Sequence, residues 1–153
     1  MEDEKFPCVI VGAGKMGLLH GALANRHELL EVVGMVDSSF QSRMVAKGIG
    51  LEIPVFKSID SAIGVTGRGL AIICTPPNSH HPIIKKFLES NWSVFVEKPL
   101  CLTEHELRKI ETCYNALEQK PILTVGFNRR FAPQIQKIKS LLSEVDGPKS
   151  FVM

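Results

Sequence analysis

The segment Glu97-Lys98-Pro99 places a carboxylate and an ammonium group directly after a short apolar run, residues 92–96. A strand that ends in this way delivers both charges to the edge of a sheet. The proline ends the hydrogen-bonded ladder, because it has no N–H to donate. A lysine at such an edge can hydrogen-bond a hydroxyl or carbonyl oxygen and stabilise negative charge that develops on it. The segment therefore indicates a site for polar chemistry.

A second motif, GAGKMG at residues 12–17, has the spacing G-x-G-x-x-G. It directly follows one apolar run and opens a helical pattern, which is the context in which this spacing is informative. The three glycines allow a tight turn, close approach of a pyrophosphate, and close packing of the helix on the strand. Free N–H groups at the helix N-terminus attract phosphate. The motif predicts a dinucleotide site that includes Gly12, Gly14, Lys15, Met16 and Gly17.

An acidic residue, Asp37, stands at the end of the second apolar run, twenty residues after Gly17. Its carboxylate can accept hydrogen bonds from ribose hydroxyls and would repel a 2′-phosphate. We therefore expect NAD as the cofactor, with NADP still possible because Arg43 lies nearby in the sequence. Ser38, the next residue, is included in the predicted cofactor site.

Short apolar runs alternate with helical patterns along the rest of the chain. Strands are predicted at residues 6–11, 30–36, 54–56, 70–75, 92–96 and 122–125. Helices are predicted at residues 15–26, from Ser38 or Ser39 to 47, from Ser58 to about 64, after Asn78 as N-cap, after a capping box of Thr103 and Glu106, and at 133–145. Continuously apolar strands between helices predict a parallel sheet that is covered on both faces. The predicted fold class is α/β, a doubly wound Rossmann sheet.

Composition excludes several other classes of protein. The chain has 153 residues, 44% of them hydrophobic and 22% charged, which is ordinary for one globular domain. A net charge of +2 is too small to indicate nucleic acid or an anionic membrane as a partner. No apolar run approaches the roughly 20 residues of a membrane span, and the acidic N-terminus lacks a signal peptide pattern. The four cysteines have no C-x-x-C spacing, so we expect neither disulfides nor a metal site. We also expect a cytoplasmic location.

Four motifs together carry a resemblance to a known family. They are GAGKMG at 12–17, CTPPNSH at 74–80, the Glu-Lys-Pro segment at 97–99, and GFNRRFAP at 126–133. In this order and spacing the chain resembles the glucose–fructose oxidoreductase / inositol dehydrogenase (Gfo/Idh/MocA) family over almost its whole length. The resemblance implies an NAD(P)-dependent oxidoreductase that acts on a sugar, a cyclitol or a related hydroxy compound.

The resemblance also implies roles for single residues. Lys98 matches the family lysine at the nicotinamide end of the cleft, which contacts cofactor and substrate, and we predict it as the catalytic residue. Glu97 is expected to orient Lys98, and both residues are included in the predicted cofactor site. We also predict a cis Lys98–Pro99 bond. His20 matches a histidine that is often found on the first helix of family members. The further residues expected to border the cofactor are Thr75, Pro76, Asn78, His80 and Asn128.

Family members carry a second α/β domain that supplies most substrate contacts and usually the oligomer interface. We therefore expect residues 1–146 to form the NAD(P)-binding domain and residues 147–153 to begin a truncated C-terminal domain. The resemblance then implies that homo-oligomers form through that absent domain and that this chain alone is inactive.

Two other functions remain open from the sequence. One is a non-enzymatic NAD(P)-binding sensor or regulatory module, which would need the glycine motif and Asp37 but no lysine for proton handling. The other is an NAD-assisted lyase or glycosidase, in which the hydride is borrowed and returned. The sequence does not identify the substrate.

Overall fold

The computed structural model describes residues 5–40, 44, 53–148 and 150. Its strands are β1 (Phe6–Val11), β2 (Leu30–Val36), β3 (Val55–Phe56), β4 (Leu70–Ile73), β5 (Ser93–Val96) and β6 (Leu123–Val125). Its α-helices are α1 (Lys15–Asn25), α2 (Ile59–Thr66), α3 (His80–Glu89), α4 (Glu104–Ala116) and α5 (Pro133–Ser143). Short 3₁₀ helices cover Pro77–Ser79 and Asn128–Phe131. None of the helices in these described ranges is long and apolar enough to cross a membrane.

The strands form one parallel sheet in the order β3-β2-β1-β4-β5-β6. This is the doubly wound order in which the chain starts at the centre of the sheet and moves outward in both directions. The predicted fold class is therefore confirmed. Because the strands are parallel, their carboxyl ends all lie at one edge, and the crevice between β1 and β4 opens there.

Strand β1 shows why the strands are apolar at every position. Its residues Val9 and Val11 pack in one buried cluster with side chains of α3 and α4, among them Ile84, Phe87 and Ile110. The alternate residues Cys8 and Ile10 pack on the opposite face with Ala24 of α1 and with Met35. Successive side chains of a strand point to opposite faces, so a sheet covered on both faces needs hydrophobic residues at both.

Four predicted helix boundaries differ from the structure by one or two residues, among them the ends of α1 at Asn25 and of α5 at Ser143. The helix predicted to end near residue 64 continues to Thr66, and Gly67 ends it with a φ of +70°, a conformation that favours glycine. The helix predicted to have Asn78 as its N-cap begins at His80 and has Ser79 as its N-cap. A 3₁₀ turn intervenes, in which the Ser79 hydroxyl lies 2.9 Å from the Thr75 hydroxyl oxygen and 2.7 Å from the Pro76 carbonyl oxygen.

Three predictions fall on residues outside the described ranges. They are most of the helix predicted from Ser38 or Ser39 to residue 47, the position of Arg43, and most of residues 147–153, which are expected to begin a C-terminal domain. The proposed boundary between residues 146 and 147 is also untested by the fold and stays a prediction.

The capping box at the start of α4 is confirmed. The Thr103 hydroxyl accepts a hydrogen bond from the Glu106 N–H at 3.2 Å, and the Glu106 carboxylate accepts from the Thr103 N–H at 3.1 Å. The same carboxylate accepts from the Leu102 N–H at 2.9 Å. The hydrogen bond from Leu102, with those from Thr103, lowers the pKa of Glu106.

We predict that Thr103→Ala lowers the free energy of unfolding by about 1 kcal/mol, the usual effect of losing an N-cap side chain. Thr112→Ala is the matched control, because the Thr112 hydroxyl only donates to the Arg108 carbonyl within the same helix. Its effect should stay within about 0.5 kcal/mol. Urea denaturation followed by circular dichroism measures both, and equal losses would contradict a specific capping role.

Candidate functional site

A cleft of about 880 Å³ opens at the carboxyl ends of β1, β2 and β4. Its size is within the range of small-molecule and cofactor sites. Residues from several loops, all at one edge of the sheet, line it. Nine of the residues predicted from sequence are among them: Gly12, Gly14, Lys15, Met16, Asp37, Ser38, Thr75, Pro76 and Asn78.

The three motif glycines have different structural roles. Gly12 has a φ of +100°, and a Cβ there would lie 3.1 Å from the carbonyl group of Cys74. A Cβ on Gly17 would overlap the carbonyl oxygen of Gly12. Helix α1 can therefore pack this closely against the loop only because residue 17 has no side chain. A Cβ on Gly14 would meet no atom within 4 Å. Gly14 therefore keeps space open in the cleft, as required for a backbone that a pyrophosphate approaches.

Helix α1 begins next to this open space. Its N-cap is Gly14, and no side chain caps the helix. The first N–H groups of a helix lack partners within the helix and carry partial positive charge. Lys15 and Met16, the first two helical residues, line the cleft. This end of the cleft is suited to bind the phosphates of a dinucleotide.

The carboxylate of Asp37 is held in place by two backbone N–H groups. Ala13, in the glycine loop, donates to its Oδ2 at 2.7 Å, and Ser39 donates to its Oδ1 at 2.7 Å. The bond to Ala13 links the end of β2 to the loop after β1. Asp37 thus lies in the lining of the cleft with its carboxylate fixed in orientation.

Some residues of the cleft were missed by the sequence analysis. Lys57, Ser58 and Ile59 follow β3 and line the cleft near Asp37, and Cys74, Ser79 and Ile83 line the opposite wall. The sequence did contain a signal for Lys57, because this residue directly follows a predicted strand and so lies at the carboxyl edge of the sheet. Burial, and next the nearby charge of Glu97, raise the pKa of Cys74 to about 12. Its thiol is therefore neutral at physiological pH and is a poor nucleophile.

The Glu97-Lys98-Pro99 segment does not line this cleft, although it follows β5 at the same edge. The Glu97 carboxylate contacts His20 Nε2 of α1 at 2.8 Å and accepts the Lys98 backbone N–H at 3.2 Å. Glu97 thus contacts the backbone of Lys98. In the described part of the chain, no carboxylate lies within 4.0 Å of the exposed Lys98 ammonium group. The predicted cis Lys98–Pro99 bond is confirmed.

Three other predicted residues also lie outside the cleft. Gly17 is buried beneath the glycine loop. Asn128 is exposed in the 3₁₀ helix after β6, where its N–H donates to the Gly126 carbonyl. His80 was expected to border the cofactor, but its side chain is fully buried and its ring contacts the carbonyl oxygens of Thr75 and Pro99.

A second cavity, of about 590 Å³, lies between α3 and α4. Its lining includes His81, Lys85, His105 and Lys109, and none of the residues predicted as site residues. We call it the α3–α4 groove.

Known proteins resemble this chain at the levels of family, sequence and structure. A family model described as an oxidoreductase family with an NAD-binding Rossmann fold matches residues 6–127. Inositol 2-dehydrogenase of Rhizobium meliloti (strain 1021) is 26% identical over 137 residues, which cover 88% of this chain and 40% of that protein. Inositol 2-dehydrogenase of Corynebacterium glutamicum (strain R) is 30% identical over 138 residues, which cover 87% and 40%.

Solved structures share the fold of this chain. An NAD-binding protein from Listeria innocua has a TM-score of 0.80 and 28% identity, with 92% of this chain and 41% of that one covered. The fold is also shared with myo-inositol dehydrogenase from Lactobacillus casei in complex with NAD(H) and myo-inositol, with a TM-score of 0.81, 23% identity and coverage of 92% and 42%. This chain spans about 40% of the length of the curated relatives that it matches. It belongs to the Gfo/Idh/MocA oxidoreductase family and contains that family's NAD-binding Rossmann fold.

Proposed function

We propose that this chain is the NAD-binding part of a dehydrogenase that transfers hydride between the nicotinamide and a hydroxyl-bearing carbon of a cyclitol or sugar. One observation carries the proposal: the glycine-loop cleft and the Lys98 turn open at the same edge of the sheet. The relatives named as inositol 2-dehydrogenases favour a cyclitol as the substrate.

The residues of the cleft fit the parts of NAD in order along the sheet edge. The glycine loop and the start of α1 bind the pyrophosphate, because they offer backbone N–H groups beside the open space at Gly14. Asp37 binds the adenosine ribose at the β2 end. Thr75, Pro76 and Asn78 form the wall towards β5. Bound NAD supplies the hydride acceptor of the reaction.

Lys98 is proposed as the catalytic residue that contacts the substrate oxygen. Its ammonium group is exposed, while its backbone is fixed through Glu97 and His20. As hydride leaves a carbinol carbon for the nicotinamide, the hydroxyl must give its proton to a base. Lys98 would accept this proton as the neutral amine, and the ammonium so formed would hydrogen-bond the carbonyl oxygen of the product; in the reverse direction the ammonium returns the proton.

The remaining parts of the proposal concern the complete protein. We propose that a further substrate domain supplies substrate contacts, an additional acid–base group and the oligomer interface, because the relatives are much longer than this chain. Without such contacts the chain alone should show little turnover, since positioning accounts for a large part of enzymatic rate. A cytoplasmic location is proposed from the four unpaired cysteines.

Asp37 should select NADH over NADPH. We predict that Asp37→Asn weakens NADH binding by about tenfold, because a charged acceptor for the ribose hydroxyls is lost, and that it strengthens NADPH binding. Titration followed by the fluorescence of the reduced nicotinamide measures both affinities. Asp60→Asn is the control, because Asp60 lies outside the cleft and pairs with Lys86. An unchanged NADH/NADPH ratio in Asp37→Asn would refute its role as the ribose reader.

Two glycine substitutions should separate binding from folding. Gly14→Ala should fold with nearly unchanged stability but bind NADH at least tenfold more weakly, because its methyl group enters the open space. Gly17→Ala should lower the free energy of unfolding by about 3 kcal/mol, because its Cβ overlaps the Gly12 carbonyl oxygen. Thermal unfolding and NADH titration are compared for both variants. Equal affinity of Gly14→Ala and wild type would place the pyrophosphate elsewhere.

Lys98 should affect turnover and not cofactor binding. In the complete protein, Lys98→Ala should reduce kcat for an inositol substrate by about 100-fold, the lower range for loss of a general acid–base group. The NADH affinity should stay within about twofold, because the cleft residues hold the cofactor and the Lys98 side chain is proposed to contact the substrate oxygen. Lys120→Ala serves as control, since Lys120 lies over the Tyr114 ring, far along the chain from the site. Full activity of Lys98→Ala would favour the sensor function.

A further inference from the structure

His80 is the buried residue that links the two halves of the site. Its side chain is fully buried, and it is the only buried polar or charged side chain found in the described residues. Its Nδ1 lies 2.9 Å from the carbonyl oxygen of Pro99, and its Nε2 lies 2.8 Å from the carbonyl oxygen of Thr75. Both ring nitrogens therefore face backbone acceptors.

The number of ring protons decides how many of these contacts are hydrogen bonds. A carbonyl oxygen can only accept, and a neutral imidazole has one N–H, so either neutral tautomer donates to one carbonyl and turns a lone pair towards the other. Whichever nitrogen carries the proton, the fully buried ring donates a hydrogen bond to one carbonyl group and contacts the other.

The two carbonyl groups belong to the segments that the proposed reaction must hold together. Thr75 lines the cofactor cleft, and its hydroxyl oxygen contacts Ser79 at 2.9 Å. Pro99 directly follows Lys98. His80 thus sets the distance between the wall of the cleft and the turn that carries the lysine. The opposite side of the same turn is held by the contact between Glu97 and His20.

We propose that His80 is a positioning residue that fastens the Lys98–Pro99 turn to the cleft wall at Thr75 through its two ring nitrogens. This role rests on the proposed function of Lys98.

Nitrogen-15 NMR of the chain with labelled histidine rings tests whether the His80 ring is held between the two carbonyl groups. The chain contains five histidines, and the His80 ring is assigned by through-bond correlation to its own backbone amide. We expect the ring N–H proton of His80 to exchange slowly with water. The rings of the exposed His27 and His105 should exchange rapidly. Rapid exchange of the His80 ring proton would overturn the proposal, and this measurement does not require any variant to be stable.

The positioning role is tested by comparing His80→Gln with His81→Gln. The control changes the next residue, whose ring has a buried Nε2 without a partner in the described residues and lines the α3–α4 groove instead of the cleft. In His80→Gln we expect the backbone amide signals of both segments to shift, at Asn78 and Ser79 and at Lys98 and Leu100. NADH binding should weaken by about tenfold, as for loss of one buried hydrogen bond, and stay within twofold in His81→Gln.

The outcomes separate this proposal from the proposed function. Amide shifts at only one of the two segments would show that His80 does not couple them. If the wild-type chain bound no NADH, the proposed function would fail, while slow exchange of the His80 ring proton and shifts at both segments would still support the link.

Discussion

The close approach of helix α1 to the loop after β1 is the contact on which the cleft depends. It exists because Gly17 has no side chain to meet the Gly12 carbonyl oxygen. The approach brings the uncapped start of α1 beside the open space at Gly14. Asp37 then fixes the loop from the side of β2 through the Ala13 N–H. The contact that packs the helix against the loop therefore also forms the proposed phosphate site.

The parallel sheet extends this arrangement to the rest of the site. Because every strand ends at the same edge, the loop after β1, the wall after β4 and the turn after β5 become neighbours although they are distant in sequence. The turn at Lys98 is held from both sides by side chains of two helices, His20 of α1 through Glu97 and His80 of α3 through Pro99. The lysine side chain itself remains exposed and available to a ligand.

Features that depend on local chemistry could be predicted from the sequence. The glycine motif, the capping box at Thr103 and the apolar strands can each be recognised from a few neighbouring residues. The fold class follows from the alternation of strands with helices. Features that depend on contacts between distant segments could not. The N-cap of α3 is Ser79 and not the predicted Asn78, because a 3₁₀ turn precedes the helix, with the Ser79 hydroxyl against Thr75. The burial of His80 depends on its contact with Pro99.

We propose that NAD binds along the carboxyl edge of the sheet, from the glycine loop to the Lys98 turn. Amide NMR of the labelled chain during addition of NAD tests it most directly. If NAD binds in this way, we expect amide signals to shift at Gly14, Asp37 and Asn78 in the cleft, and also at Lys98. Shifts confined to the α3–α4 groove, or cleft shifts that leave Lys98 unchanged at saturation, would contradict it.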